Sequence, residues 1–155
     1  MNEIDYYSYQ TPIGIIYISA IDDAIVGCAF QNEFGTRYQE TPTIQKAYKQ
    51  IEEYFSHQRQ NFDVKYRFIT GTAFQRRVWE AMLKIPYGQT VSYQDVAQMI
   101  GSPKAYRAVG NAIHHNPMSF FFPCHRVIAA HGKLGGYGGE IDKKIFLLDL
   151  EGVHL

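Results

Sequence analysis

The spacing of the apolar residues changes near Gly71, and this change constrains the fold more than any other feature of the sequence. Before Gly71, the segments YYSYQT, IGIIYISAI and AIVGCAFQ are rich in Tyr, Ile and Val and predict strands. After it, apolar residues recur three and four positions apart, which predicts helices. A chain of 155 residues suits one domain or two small ones. We therefore predict an α+β protein with an N-terminal domain over residues 1–70 and a C-terminal domain over residues 71–155.

The predicted N-terminal domain contains no residues that suggest chemistry. Asp22 and Asp23 separate two of its strands, which predicts a hairpin turn. A helix is predicted from about Thr41, because apolar residues follow it at helical spacing. The segment FDVKYRF, residues 62–68, is predicted to return as a strand. We interpret this domain as a scaffold.

The C-terminal domain is predicted to begin with a helix-turn-helix. Thr72, with Gln75 three residues later, forms a capping box at the start of the first helix. Ser92 and Asp95, also three residues apart, are predicted to set the start of the second helix. Ser102 followed by Pro103 is predicted to start the third. Two helices joined by a short turn that contains glycine are typical of DNA-binding proteins, although many other proteins share the pattern.

One face of the third helix carries Arg107, Gly110, Asn111 and His114. A single arginine flanked by small residues allows the helix backbone to approach another molecule closely. Tight packing against neighbouring helices would favour the same small residues. The sequence leaves both interpretations open at this point.

A glycine-rich segment and a last helix complete the chain. The glycines of residues 132–139 predict a hairpin or wing whose backbone approaches something closely. The pattern GxxxxGK[ST] of a phosphate-binding loop is absent. The last helix, over about residues 140–150, is predicted to bury Ile141, Ile145 and Leu148 and to place Glu151 at its end.

The segment FFFPCHRVI places a cysteine beside a histidine. Cys124 next to His125 and Arg126 could be a reactive thiolate, or it could be an inert buried sulfur. Neighbouring side chains of an extended strand point in opposite directions. Contact between Cys124 and His125 therefore requires a water molecule or a bent backbone, and Pro123 favours a bend. The last helix could carry the Glu151 carboxylate back to the imidazole of His125.

The charge distribution is compatible with a polyanionic partner. The net charge is zero, but residues 71–139 hold seven Lys or Arg residues against two acidic residues. A basic segment of this kind can face a polyanion, and ordinary surface charge explains it equally well.

Several classes of protein are disfavoured by composition. No apolar run is long enough to cross a bilayer, and the N-terminus lacks a signal-peptide pattern. With only two cysteines, a disulfide framework is not expected, and a cytoplasmic location is predicted. A metal site is not expected either, because no CxxC motif exists and the histidines follow no zinc-ligand spacing.

The motif PCHRVI resembles the active-site segment of the O6-alkylguanine-DNA alkyltransferases, the methylated-DNA–protein-cysteine methyltransferases. The resemblance includes GTAFQRRVWEAM, IPYGQTVSY, RAVGNA, NP, GKLGGYGG and LLDLEG, so it covers residues 71–152 almost continuously. It implies a winged helix-turn-helix for the C-terminal domain. Residues 1–70 match in outline, which implies a small sheet with a helix, similar to ribonuclease H.

The resemblance also assigns chemical roles. Cys124 would accept the alkyl group, His125 would take its proton through a water molecule, and Glu151 would hold His125. Asn116 would brace the Cys124 loop, and Tyr93 would contact the guanine and protonate it as it leaves. Arg107 would enter the duplex and fill the space of the flipped nucleotide. Further DNA contacts would come from Tyr93, Gln94, Ser102 and Gly110, and the base pocket would include Val127, Tyr137 and Gly138.

The function implied is direct reversal of DNA damage. An alkyl group would pass irreversibly from O6 of guanine in double-stranded DNA to Cys124, once per protein molecule. No cofactor is expected, because the DNA is the alkyl donor, and the protein is expected to act as a monomer. Activity on O4-alkylthymine is left open. One alternative is a protein that binds alkylated bases without transfer, although the intact PCHRV argues against it. The other is a winged-helix transcriptional regulator, which the lack of an effector region disfavours.

Overall fold

The computed structural model describes residues 3–129, 132–135 and 140–155 and has a mixed α+β fold. Two compact units are present. The first comprises Met1–Thr70 with Pro117–Ser119, and the second comprises Gly71–Asn116 with Phe120–Leu155. In the described part of the chain, no helix combines the length and the apolar character needed to cross a membrane.

The first unit is a small sheet with one helix. The sheet order is β3-β2-β1-β4; β1 pairs antiparallel with β2, β2 pairs antiparallel with β3, and β4 pairs parallel with β1. Pairing of Ile21 with Ala24 confirms the hairpin turn predicted at Asp22 and Asp23. The elements are β1 (Asp5–Thr11), β2 (Gly14–Ile21), β3 (Ala24–Ala29), β4 (Arg37–Tyr38) and α1 (Pro42–Phe55).

Helix α1 covers the sheet because of its apolar face. The side chain of Thr41 accepts a hydrogen bond from the backbone N–H of Ile44 and caps the helix, as its position in the sequence predicts. Ile44, Ala47, Ile51 and Tyr54 are fully buried and recur at helical spacing. The helix therefore forms the core of this unit together with the buried residues of β2 and β3.

The prediction that FDVKYRF forms a strand is wrong. Only Tyr66 in this segment forms a bridge, parallel to Ile25 of β3. The backbone N–H of Ile25 donates to the Lys65 carbonyl, and the N–H of Arg67 donates to the Ile25 carbonyl. The segment therefore pairs with β3 at a single residue, because the next part of β3 pairs with a different segment of the chain.

That other segment is Pro117–Ser119, which we call the strap. Met118 forms a parallel bridge with Cys28 of β3. The N–H of Cys28 donates to the Pro117 carbonyl, and the N–H of Ser119 donates to the Cys28 carbonyl, at 2.9 and 2.8 Å. The sequence predicted one unbroken domain over residues 71–155, whereas the strap belongs to the first unit because these hydrogen bonds add it to the sheet.

The second unit contains the predicted helices and a short parallel sheet. Both predicted capping boxes are present, Thr72 with Gln75 and Ser92 with Asp95. The indole N–H of Trp79 donates to the Ala112 carbonyl at 2.7 Å and links the first helix to the third. The elements are α2 (Ala73–Met82), β5 (Val91–Ser92), α3 (Tyr93–Met99), α4 (Tyr106–His114), β6 (Val127–Ile128) and α5 (Ile141–Leu150), and β5 pairs with β6.

Helix α4 begins later than predicted. Its N-cap is Ala105, and no side chain caps it. The N–H of Ser102 instead donates to the Ala97 carbonyl and closes the end of α3, and the Ser102 carbonyl accepts from Ala105. Ser102 and Pro103 therefore lie in the turn between the two helices.

The buried face of α5 also differs from the prediction. Leu148 is buried as predicted, but Ile141 and Ile145 are exposed. The side of α5 that faces the interior carries Lys144, Leu147 and Leu148. A lysine therefore occupies a core position that the apolar pattern assigned to an isoleucine.

Candidate active site

The backbone bends sharply at Pro123, before Cys124. Pro123 has φ −77° and ψ 68°, and the N–H of Cys124 donates to the Phe122 carbonyl at 2.7 Å. These values describe an inverse γ-turn. A single 3-10 turn, Cys124–Arg126, follows. The bend that the sequence suggested is confirmed, and it removes the alternation that would separate Cys124 from His125 in a strand.

Glu151 lies at the centre of a buried network of hydrogen bonds. Its Oε2 accepts from Nε2 of His125 at 2.7 Å and from a terminal nitrogen of Arg126 at 3.0 Å. Its Oε1 accepts from Nε of Arg126 at 2.9 Å and from the backbone N–H of Gly88 at 3.0 Å. Arg126 also donates to the Ile85 carbonyl. The carboxylate is thus fixed by a bidentate arginine, the strongest type of carboxylate contact.

The environment of His125 favours a neutral ring. Burial lowers the pKa of His125; the Glu151 carboxylate opposes this effect, and the positive charges of Arg126 and Lys144 reinforce it. A carboxylate only accepts hydrogen bonds, so the ring hydrogen of neutral His125 is on Nε2. Nδ1 then carries the lone pair and is the nitrogen that can accept a proton.

The two cysteines occupy different environments. Cys28 is 1% exposed, and burial raises the pKa of its thiol. Cys124 is 8% exposed and lies beside His125 and near Lys144, whose pKa it affects. A thiolate is favoured by nearby cations and disfavoured by apolar burial. The environment of Cys124 therefore supports nucleophilic chemistry, and that of Cys28 does not.

Asn116 holds the loop before Cys124. Its side-chain amide donates to the Phe122 carbonyl at 2.9 Å, the same oxygen that accepts from the N–H of Cys124. Between them, Phe120 has φ 71°, a left-handed conformation rare for a bulky residue, and is buried. Asn116 and the buried Phe120 side chain together define where the turn begins.

Tyr93 is packed against glycines. It is the first residue of α3 and is partly buried. A Cβ on Gly110 would lie 3.7 Å from its ring, and a Cβ on Gly135 would lie 2.8 Å from its hydroxyl. Gly135 also has φ 71°, which favours glycine. The two glycines leave room for the Tyr93 ring and its hydroxyl.

The predicted DNA-contacting residues lie on α3 and α4, as the sequence predicted, except for Ser102, which lies in the turn between these helices. Arg107, Asn111 and His114 of α4 are exposed, and Gly110 between them is partly buried, so the predicted face is open to solvent. Gln94 is exposed at the start of α3, and Ser102 is partly buried in the turn.

The predicted base pocket is described only in part. Tyr137 and Gly138 lie outside the described residues. Val127 is buried; its N–H donates to the Cys124 carbonyl, and its own carbonyl accepts from Nζ of Lys144 at 2.7 Å. A carbonyl oxygen has two lone pairs, so that of Val127 can accept a second hydrogen bond.

Two residues of the site were missed by sequence reasoning. Arg126 fixes Glu151, and its place in the PCHRVI motif directly after His125 was the available signal. Lys144 lies seven residues before Glu151, two helical turns away on the same side of α5, so helical spacing could have found it. Within residues 3–129, 132–135 and 140–155, no group of three or more His, Cys, Asp or Glu is placed to hold a metal.

Comparison with known proteins assigns the chain to a family. Residues 73–153 match the family model of the 6-O-methylguanine DNA methyltransferase DNA-binding domain, and residues 4–68 match that of the ribonuclease-like domain of the same proteins. The chain belongs to the 6-O-methylguanine DNA methyltransferase family. Its members are methylated-DNA–protein-cysteine methyltransferases, which repair DNA by moving an alkyl group to a cysteine.

Individual relatives match the methyltransferase fold over nearly the whole chain. The methylated-DNA–protein-cysteine methyltransferase of Mycolicibacterium paratuberculosis is 41% identical and covers 97% of this chain and 94% of its own. The constitutive enzyme of Bacillus subtilis is 39% identical, with 94% of each chain covered. The crystal structure of Mycobacterium tuberculosis OGT in complex with DNA has a TM-score of 0.87 and 42% identity, covering 95% of this chain and 92% of that one. The predicted family and fold class are therefore confirmed.

Proposed function

We propose that this methyltransferase repairs double-stranded DNA by transferring an alkyl group from O6 of guanine to the sulfur of Cys124. The observation that carries the proposal is the buried His125–Glu151–Arg126 network directly after Cys124. It supplies a neutral base beside Cys124, which is less buried, at 8% exposed, than Cys28, at 1% exposed. The proposed site uses residues of one chain, which supports action as a monomer.

The chemistry follows from the positions of these groups. His125 accepts the proton of Cys124 on Nδ1 through a water molecule, and Glu151 stabilises the resulting imidazolium. The thiolate attacks the alkyl carbon, a carbon–sulfur bond forms, and the bond from that carbon to O6 breaks. The electron pair of that bond stays on the guanine, which takes a proton from the Tyr93 hydroxyl. Water then returns a proton to the Tyr93 phenolate and takes the proton from the His125 imidazolium. The product is a thioether, which water does not hydrolyse readily, so each molecule reacts once.

The exposed face of α4 supports binding to duplex DNA. O6 of guanine is inaccessible within the base stack, so the nucleotide must rotate out, at a cost of roughly a few kcal/mol. In this proposal Arg107 enters the duplex and recovers part of that cost, as inserted side chains do in other minor-groove proteins. Gln94, Ser102 and Gly110 contact the DNA backbone, and the Val127 carbonyl uses its second lone pair for the base edge.

The test is the intact mass of the protein after incubation with duplex that contains O6-methylguanine. We expect a gain of one methylene per molecule, located by peptide mapping on Cys124, with Cys28 unmodified as an internal control. Unmethylated duplex should leave the mass unchanged. A complex with methylated duplex that shows no change of mass would instead indicate a protein that binds lesions without transfer.

Replacement of Arg107 with alanine separates base flipping from chemistry. We expect Arg107→Ala to react with methylated duplex about 10- to 100-fold more slowly. The variant loses about one to three kcal/mol of stabilisation that the inserted arginine gives to the flipped-out state. Its reaction with free O6-methylguanine should be unchanged, since no stack has to be filled. Single-turnover rates on both substrates test this, with Arg77→Ala on α2 as the matched control. Equal losses on duplex and free base would exclude this role.

A further inference from the structure

Tyr106 is a large aromatic residue that α4 leaves exposed. It is the first residue of that helix, directly before Arg107, and it is 40% exposed. The buried side of α4 carries Val109, Ala112 and Ile113, so the packing of the helix does not explain a bulky side chain at its start. Among the described residues, the Tyr106 side chain has no hydrogen-bond partner and no ring contact. Single exposed aromatic residues are common, so the position of Tyr106 has to carry the argument.

That position borders the face of α4 that the proposed function assigns to DNA. Successive residues of an α-helix lie about 100° apart around the axis, so Tyr106 is about 100° from Arg107 and about 40° from Gly110. A Cβ on Gly110 would lie 3.7 Å from the Tyr93 ring, so this side of α4 faces Tyr93. Tyr106 therefore lies next to Arg107, on the side of the tyrosine that contacts the guanine in the proposed function.

The charge around Tyr106 is compatible with a polyanion. Residues 96–139 contain no Asp or Glu, and the cationic residues nearest to Tyr106 in the sequence are Lys104 and Arg107. In α4, all of which the structure describes, the first turn contains no acidic residue. No carboxylate of this stretch of sequence therefore opposes the approach of the DNA backbone to the ring.

We propose that Tyr106 is a second DNA-contacting side chain of α4, and that its ring packs on the base that borders the gap in the damaged strand. The inference rests on the proposed function, in which Arg107 fills the space of the flipped nucleotide. Rotation of a nucleotide out of the stack exposes its neighbouring bases, and aromatic rings stack on exposed bases in single-stranded DNA. Because Tyr106 lies on the Tyr93 side of α4, it faces the strand from which the guanine rotates. Arg107 thus occupies the gap, and Tyr106 stabilises its border.

The first experiment measures single-turnover transfer from methylated duplex and from free O6-methylguanine. We expect Tyr106→Ala to react with duplex about five- to 50-fold more slowly, because the contact between the ring and a base is lost. Tyr106→Phe keeps the ring and should stay within about twofold of the wild-type rate. Both variants should react with the free base at the wild-type rate. Leu83→Ala, directly after α2, is the matched control, because Leu83 is exposed to a similar extent, at 44%.

Three results of this experiment would overturn the proposal. A wild-type rate of Tyr106→Ala on duplex would show that the ring makes no useful contact. Equal losses in Tyr106→Ala and Tyr106→Phe would assign the contact to the hydroxyl, and equal losses on duplex and free base would indicate a disturbed base pocket. Tyr106→Leu, which keeps apolar bulk at the helix start, replaces Tyr106→Ala if circular dichroism shows that the alanine variant does not fold. If the wild type itself transfers no methyl group, the proposed function fails, and this is recognised before any variant is compared.

A second experiment identifies the base on which the ring packs. Two duplexes carry O6-methylguanine next to an abasic analogue, on its 5′ side in one duplex and on its 3′ side in the other. If Tyr106 packs on the missing base, the losses from Tyr106→Ala and from the abasic analogue are not additive. We therefore expect the rate ratio of wild type to Tyr106→Ala to fall to within about twofold on one of the two duplexes. A ratio that stays unchanged on both duplexes would contradict the proposal.

The salt dependence of binding separates a base contact from a phosphate contact. Affinity for methylated duplex is measured across salt concentrations with Cys124→Ala, in which no transfer is expected, and with the same variant carrying Tyr106→Ala. Each phosphate contact contributes about 0.9 to the slope of log affinity against log salt concentration. We expect Tyr106→Ala to weaken binding at every salt concentration and to leave the slope unchanged. A slope that falls by about one would show that Tyr106 acts through a phosphate, and the proposal would be wrong.

Discussion

Cys124→Ala is expected to take up no methyl group from methylated duplex while still binding it. In the proposed function, the Cys124 thiol supplies the sulfur that bonds to the methyl carbon. Cys28 is not expected to replace it, because Cys28 is 1% exposed and burial raises the pKa of its thiol. The face of α4 that carries Arg107 is unaffected by the substitution. We expect the dissociation constant to change by less than about threefold, which corresponds to under ~0.7 kcal/mol.

The measurement uses duplex with a radiolabelled O6-methyl group. Wild type and Cys28→Ala should each become labelled with one methyl group per molecule, and Cys124→Ala should remain unlabelled. Gel-shift titration of the same variants measures DNA binding. Label on Cys124→Ala would show that another residue is the acceptor, and loss of binding would show that the sulfur also contributes to recognition.

Glu151→Gln is expected to lower both stability and rate by large amounts. Four hydrogen bonds from His125, Arg126 and Gly88 reach the two carboxylate oxygens. Glutamine offers one oxygen, and its NH2 group faces donors where an acceptor is needed. The buried Arg126 also loses its counter-charge, and breaking a buried ion pair costs about 3–5 kcal/mol. Loss of the oriented base should slow transfer by about 10²–10⁴-fold.

Urea unfolding and single-turnover transfer measure these two effects. Glu140→Gln is the matched control, because Glu140 is an acidic residue at the start of the same helix whose side chain is partly exposed and forms an ion pair with the partly exposed Lys143. It should change the free energy of unfolding by less than about 0.5 kcal/mol and leave the rate unchanged. A Glu151→Gln protein that loses under ~1 kcal/mol would mean that Arg126 does not depend on this carboxylate.

Features that depend on neighbouring residues were predicted correctly. The capping boxes at Thr72 and Ser92 require only residues three positions apart, so the sequence shows them directly. The bend before Cys124 follows from Pro123, whose ring restricts its own backbone. The start of α4 was predicted wrongly. Ser102 and Pro103 form a local signal for a helix start, but the N–H of Ser102 donates to the end of the preceding helix instead.

Features that depend on distant residues were missed. Nothing near Lys144 indicates that it is buried, because its partner, the Val127 carbonyl, lies 17 positions away. The apolar pattern assigned Ile145 to the core because it could not show that Lys144, the residue before it, is buried instead. The bidentate ion pair between Arg126 and Glu151 joins residues 25 positions apart and forms only when α5 packs against the Cys124–Arg126 turn.

The strap has a consequence for any attempt to divide this protein. Because Pro117–Ser119 completes the edge of β3, the two units are interleaved along the polypeptide, and no single cut releases both intact. A fragment that starts at Gly71 contains the strap but lacks β3, the strand to which the strap is hydrogen-bonded. The strap comes directly before Phe120 and only a few residues before Cys124 in the sequence. Transfer of the unit that carries Cys124 to another scaffold therefore requires that β3 be transferred with it.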